Sequence, residues 1–154
     1  MMLIAISLKC RPNGSRFDLV QALKALGQIQ RDLGQPESAL SLYEEAVAIC
    51  RHLNDPPMLA HTVRHVGDIQ RNLGRLSEAQ TCYDEALKIY RSHDHKPLDL
   101  ANTLRPLALL KEAIGQKDHA RAFWEEARTL YAIAEVEAGV AECTARLSAI
   151  SSIS

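Results

Sequence analysis

The sequence predicts an all-α protein: a right-handed superhelical solenoid of about three helical hairpins, closed by a C-terminal capping helix. Three observations carry this reading. Gly34, Gly74 and Gly115 recur at separations of 40 and 41 residues, a period typical of stacked helical repeats. The apolar residues before each glycine fall three or four apart, which places them on one face of a helix. After each glycine an alanine, an aromatic and a second alanine return at fixed offsets: Ala39, Tyr43 and Ala46; Ala79, Tyr83 and Ala86; Ala120, Trp124 and Ala127.

Each element follows from the pattern. The first helices carry Leu23, Leu26, Ile29 and Leu33, then Val63, Val66, Ile69 and Leu73, then Leu104, Leu107, Leu110 and Ile114. A glycine ends each, because that position favours a positive φ. Pro36 suits the first turn of the second helix, where a missing N–H costs nothing. The alanines mark close approach between helices, and the aromatic between them fills the wedge, its N–H or O–H needing a polar partner. Gly27 and Gly67, matched by Ala108, mark a crowded contact inside the first helices, since a mid-helix glycine costs about 1 kcal/mol relative to alanine. Pro57 and Pro97 open the following first helices. Pro106 inside the third predicts a local kink. Val136, Val140, Cys143, Leu147 and Ile150 predict one further helix that covers the end of the array. The expected organisation is an N-terminal segment over 1–14, a single solenoid over 15–154 with repeats at about 15–53, 54–94 and 95–131, and a cap over 132–152. Met2 to Leu8 reads as a ragged helix start or a truncation boundary, and residues 3–10 help cover the first repeat.

Composition narrows the function. The 154 residues are 47% hydrophobic and 24% charged, which is globular rather than disordered. Aromatics make up only 5%, so Ala, Leu, Ile and Val must build the core. The formal net charge of -1 gives no bulk positive field, and nucleic acid is not expected as a partner. The apolar run at the start is too short for a membrane span and lacks a basic flank, so no membrane role is expected. Cys10, Cys50, Cys82 and Cys143 are far apart and form no CxxC pair, which points to reduced thiols and a cytoplasmic location.

The order Leu-x-x-Leu-Gly, Gly seven residues later, then Ala-x-x-x-Tyr-x-x-Ala resembles the tetratricopeptide repeat. Leu23, Leu26, Gly27, Gly34, Ala39, Tyr43 and Ala46 match its packing pattern. So do Val63, Val66, Gly67, Gly74, Ala79, Tyr83 and Ala86, and again Leu104, Leu107, Ala108, Gly115, Ala120, Trp124 and Ala127. The longer period, about 40–42 residues, resembles the extended kinesin light chain-like variant. Gln30, Gln70 and Lys111 depart from the family, which usually has tyrosine there. The resemblance implies a protein-interaction module or adaptor whose concave groove, lined mainly by first helices, holds an extended peptide. Some relatives hold the peptide by its C-terminal carboxylate.

A basic column on the first helices gives that groove its chemistry. Lys24, Arg64 and Arg105 occupy one repeat position, with Gln28, Arg31, His61, Asp68, Arg71 and Asn102 nearby. Like charges on consecutive repeats repel unless neutralised, and arginine binds a carboxylate through two parallel hydrogen bonds. An acidic peptide, or one with a free C-terminal carboxylate, is therefore the expected partner. A solvated face with acidic neighbours screening the column is the competing reading. Leu109 in the third repeat offers room for an apolar side chain of the partner. Glu44-Glu45, Asp84-Glu85 and Glu125-Glu126 form an outward acidic column.

Two alternatives stand beside the adaptor: a self-associating structural scaffold, and an interaction or regulatory segment of a larger signalling protein or enzyme. No catalytic residue, metal site or cofactor is expected, because no P-loop, dinucleotide fingerprint, HExxH or serine elbow is present. His61 and His65 sit four apart on a helix but lack further ligands, and read as polar surface histidines.

Overall fold

The computed structural model describes residues 14–93 and 95–153. Met2 to Leu8, Cys10 and the proposed cover formed by residues 3–10 lie outside the described residues. The fold is all-α, with seven helices among those described: α1 (Gly14–Asp32), α2 (Pro36–Cys50), α3 (Pro56–Asn72), α4 (Leu76–Ser92), α5 (Pro97–Ala113), α6 (Lys117–Ile133) and α7 (Glu137–Ile153). Sequential helices pack on one another, α1 on α2, α2 on α3, α5 on α6 and α6 on α7. This is the expected order of hairpins followed by a C-terminal helix. Two compact units divide within α4, the first ending at Cys82 and the second starting at Tyr83.

The glycine turns form as the sequence predicts. Gly34, Gly74 and Gly115 take φ of 73°, 78° and 81°. In each turn the glycine N–H bonds a carbonyl three residues back, and the next N–H bonds one five back, as in Gly34 to Arg31 and Gln35 to Gln30. This six-to-one closure satisfies carbonyls that the helix end would leave unpaired. A fourth turn of the same form joins α6 to α7, where Glu135 N–H bonds Ala132 and Val136 N–H bonds Tyr131. Here the left-handed residue is Glu135, at φ 59°. The joint before α3 differs. Asp55 caps that helix by accepting from Met58 N–H at 3.1 Å, and Pro56 follows in the first turn.

In the first unit, Leu19, Val20 and Leu23 of α1 pack with Ala46 and Cys50 of α2. Ala39, Leu40 and Tyr43 of α2 pack with Val66 and Ile69 of α3. A Cβ on Gly27 would lie 2.6 Å from the Tyr43 ring, so the glycine there is required by the approach of the two helices. Buried Thr62 donates to the Met58 carbonyl at 2.7 Å. The expected apolar stripe needs correction at its ends. Ile29 and Leu33 are 52% and 67% exposed, and Ile114 is 51% exposed. Ile69 is buried because α2 supplies Leu40 and Tyr43 against it. Among the described residues no helix precedes α1 to do the same for Ile29.

In the second unit Leu104, Leu107, Ala120, Trp124, Ala127 and Tyr131 are buried. The aromatic polar groups find partners, as expected. Trp124 Nε1 donates to Glu112 Oε2 at 2.8 Å, and the Tyr131 hydroxyl donates to Asn102 Oδ1 at 2.8 Å. The helix containing Pro106 runs unbroken from Pro97 to Ala113, with the proline buried. Cys143 and Ile150 anchor α7, both buried. Gly139 is packed against the Tyr131 ring, where an added Cβ would come within 2.5 Å.

Candidate functional site

The first unit gathers a polar cluster where α1, α2 and α3 meet. Lys24 Nζ lies 2.9 Å from His61 Nδ1. An ammonium has only donors, so Nδ1 of His61 accepts and its proton sits on Nε2. The His61 ring meets His65 edge-on with centroids 4.5 Å apart, and His65 stacks on Tyr43 at 5.5 Å. Arg64 pairs with Asp68 one turn on at 3.3 Å, both side chains largely buried. Its Nη2 also approaches His65 Nε2 at 3.5 Å, which leaves the His65 proton on Nδ1. That Nδ1 and the Arg64 Nε are buried without a hydrogen-bond partner in the protein.

Burial and neighbouring cations set the charge states. Burial, then Lys24 and Arg64, push His61 down to about 4. Burial, then Arg64, His61, Lys24 and Arg31, push His65 down to about 2. Both rings are therefore neutral near pH 7. Burial also lowers the Lys24 ammonium, with Arg64 adding to it. The reading of His61 and His65 as surface histidines is corrected: both are half-buried and stacked into the α2 contact. Sequence spacing showed the pair but could not show the Tyr43 ring that covers it.

The other expected site residues separate by neighbourhood. Gln28 donates to Asp32 at 2.9 Å. Gln28 and Arg31 line an open pocket of about 390 Å³ with Asp32, Pro36, Ile69 and Asn72. Burial raises the Tyr43 hydroxyl, and Arg31 beside it offsets part of that rise. Arg71 is half-buried and its Nε has no partner in the protein, as with the side-chain oxygen of Gln70. In the second unit Asn102 is committed to Tyr131, and Leu109 is half-buried on α5. Arg105 binds Glu142 of α7 through both carboxylate oxygens, at 2.5 and 3.0 Å. The three cations of the column differ in their partners. Arg64 and Arg105 have carboxylates of this chain against them, while among the described residues Lys24 forms no ion pair: it bonds a neutral imidazole, and the Asp55 carboxylate acts on it only from beyond ion-pair distance. Glu142 was missed because it comes from outside the repeats, where no recurring spacing marks it.

Neither buried thiol is set up as a nucleophile. Burial raises Cys50, and burial followed by Glu142 pushes Cys143 up to about 11. Among the described residues no three His, Cys, Asp or Glu side chains come together as a metal site. No described helix is long and apolar enough to cross a membrane.

Two family models, each described as tetratricopeptide repeat, match the chain without a gap between them, over residues 22–57 and 58–133. The chain belongs to the tetratricopeptide repeat family. Among solved structures its fold is similar to BtubC (BKLC) from P. vanneervenii, with 16% identity and a TM-score of 0.72 over 97% of this chain and 69% of that one. It is also similar to PcrH from Pseudomonas aeruginosa, with 23% identity and a TM-score of 0.65 over 87% of this chain and 92% of that one. At these identities the likeness is one of fold. Curated protein sequences give no match. The tetratricopeptide assignment explains the matched alanines and aromatics as packing residues.

Proposed function

We propose that this tetratricopeptide chain is a non-enzymatic interaction module, an adaptor that holds an extended acidic peptide of another protein. One observation carries the acidic preference. Lys24 is a half-buried cation that bonds a neutral imidazole and forms no ion pair among the described residues, the Asp55 carboxylate acting on it only from beyond ion-pair distance. A carboxylate brought to it would offset its desolvation and the repulsion from Arg64. Gln28 and Arg31 then supply amide and guanidinium donors along the same helix. The 40- and 41-residue glycine spacing supports reading the repeats as the extended kinesin light chain-like variant. The buried thiols Cys50 and Cys143 support a cytoplasmic location. A free C-terminal carboxylate on the partner is the narrower form of the same reading.

The test is fluorescence anisotropy with a labelled hexaglutamate peptide, its C-terminus either free or amidated, and hexaglutamine as control. Wild type should bind hexaglutamate in a salt-sensitive way and ignore hexaglutamine. Lys24→Met should weaken binding by about tenfold, the scale of one charge-assisted hydrogen bond. Equal binding of both peptides, or indifference to Lys24, rules the acidic-peptide reading out.

A further inference from the structure

We infer that Glu142 fills a position on α5 suited to a partner's carboxylate, and that an acidic segment docks on the second unit by displacing Glu142 from Arg105. The inference rests on the acidic-peptide reading and adds to it a site and a competitor supplied by the chain itself. Arg105 occupies the repeat position that Lys24 and Arg64 hold in the first unit. Glu142 approaches it in the two-pronged manner that a free carboxylate would use. The guanidinium holds the Glu142 carboxyl below its ordinary range, so the pair is charged at neutral pH.

The contact is built to exchange. The Arg105 and Glu142 side chains remain 40% and 35% exposed, so an incoming carboxylate can reach the pair. An ion pair at such a surface is held weakly, and replacing one carboxylate by another conserves the hydrogen bonds. Helix α7 packs on α6 and reaches α5 through charged side chains. Besides Glu142, Arg146 lies 3.7 Å from Glu112, a loose pairing at a second point one turn along α7. Leu109 stands one turn beyond Arg105 on the same face of α5, half-buried. The matching partner is an acidic segment with an apolar side chain close to its carboxylate.

The experiment uses the full chain and the labelled, amidated hexaglutamate peptide. Glu142→Gln should bind it at least about fivefold more tightly than wild type, the lower end of a typical coupling between sites. The double variant Glu142→Gln, Arg105→Gln should lose that gain. A second readout needs no variant: saturating hexaglutamate should speed hydrogen exchange at amides of α7 in wild type. Unchanged affinity in Glu142→Gln at matched helicity, or unchanged α7 exchange at saturation, overturns the inference. If wild type and Glu142→Gln both fail to bind, the acidic-peptide reading falls with it. Binding that depends on Lys24 but ignores Glu142 removes the displacement alone.

Discussion

Mild acid should loosen the first unit, and His65 should carry most of the effect. In the folded chain burial and Arg64 hold His65 down at about 2, against 6.5 for an ordinary histidine. The sign follows from proton counting. Below pH 6.5 the unfolded chain takes up a proton that the folded chain refuses, so stability falls as pH falls. The contribution is complete above pH 6.5 and is lost progressively down to the folded value. Each bound-proton difference is worth about 1.4 kcal/mol per pH unit, so lowering the pH from 7 to 5 costs about 2 kcal/mol through His65. His61, held at about 4, adds a smaller share because solvent screens it more. The groups facing the two rings are Lys24, Arg31, Arg64 and Tyr43, and Asp68 is engaged by Arg64, so among the described residues no carboxylate is placed to steady an imidazolium. The assay is urea unfolding at pH 7, 6 and 5, followed by circular dichroism. Trp124, the single tryptophan, reports the second unit separately by fluorescence. His65→Gln cannot titrate, and should lose about 2 kcal/mol less than wild type between pH 7 and 5. Equal acid losses in the two proteins, within about 0.5 kcal/mol, would refute the reasoning.

Four substitutions test the packing. Glu135→Gly should raise stability by about 1 kcal/mol in urea unfolding, since it relieves a side chain held in the left-handed region. Gly27→Ala and Gly139→Ala should each cost about 1–3 kcal/mol, because the new methyl would meet the Tyr43 or Tyr131 ring. Tyr131→Phe should cost about 1 kcal/mol by removing the hydrogen bond to Asn102, read from the Trp124 signal.

The sequence made the fold legible because its signals were local and repeated. Gly34, Gly74 and Gly115 announce their turns, and the Ala-aromatic-Ala spacing marks the inner faces of α2, α4 and α6. Gly27 was legible as a crowded position, though only the structure names Tyr43 as the crowding ring. Burial at Ile29 was not legible, because the same position is buried in α3 by residues from the preceding hairpin. The candidate site was legible as a list of helix positions but not as a charge balance. Whether a cation is neutralised depends on residues far along the chain, and nothing near Arg105 in sequence points to a carboxylate 37 residues away. Glu135 was hidden for another reason: its turn lacks the glycine that marks the other three.

That fourth turn bears on the order in which the molecule comes apart. Three of the tight turns rest on a residue at ease there, and the one before α7 rests on a residue that is not. The strain lowers the cost of detaching α7 relative to an otherwise equal helix. Local opening follows the least protected joint first. Helix α7 then detaches more readily than it would behind a glycine turn, and when it does it takes the Glu142 carboxylate away from Arg105 even with no ligand present.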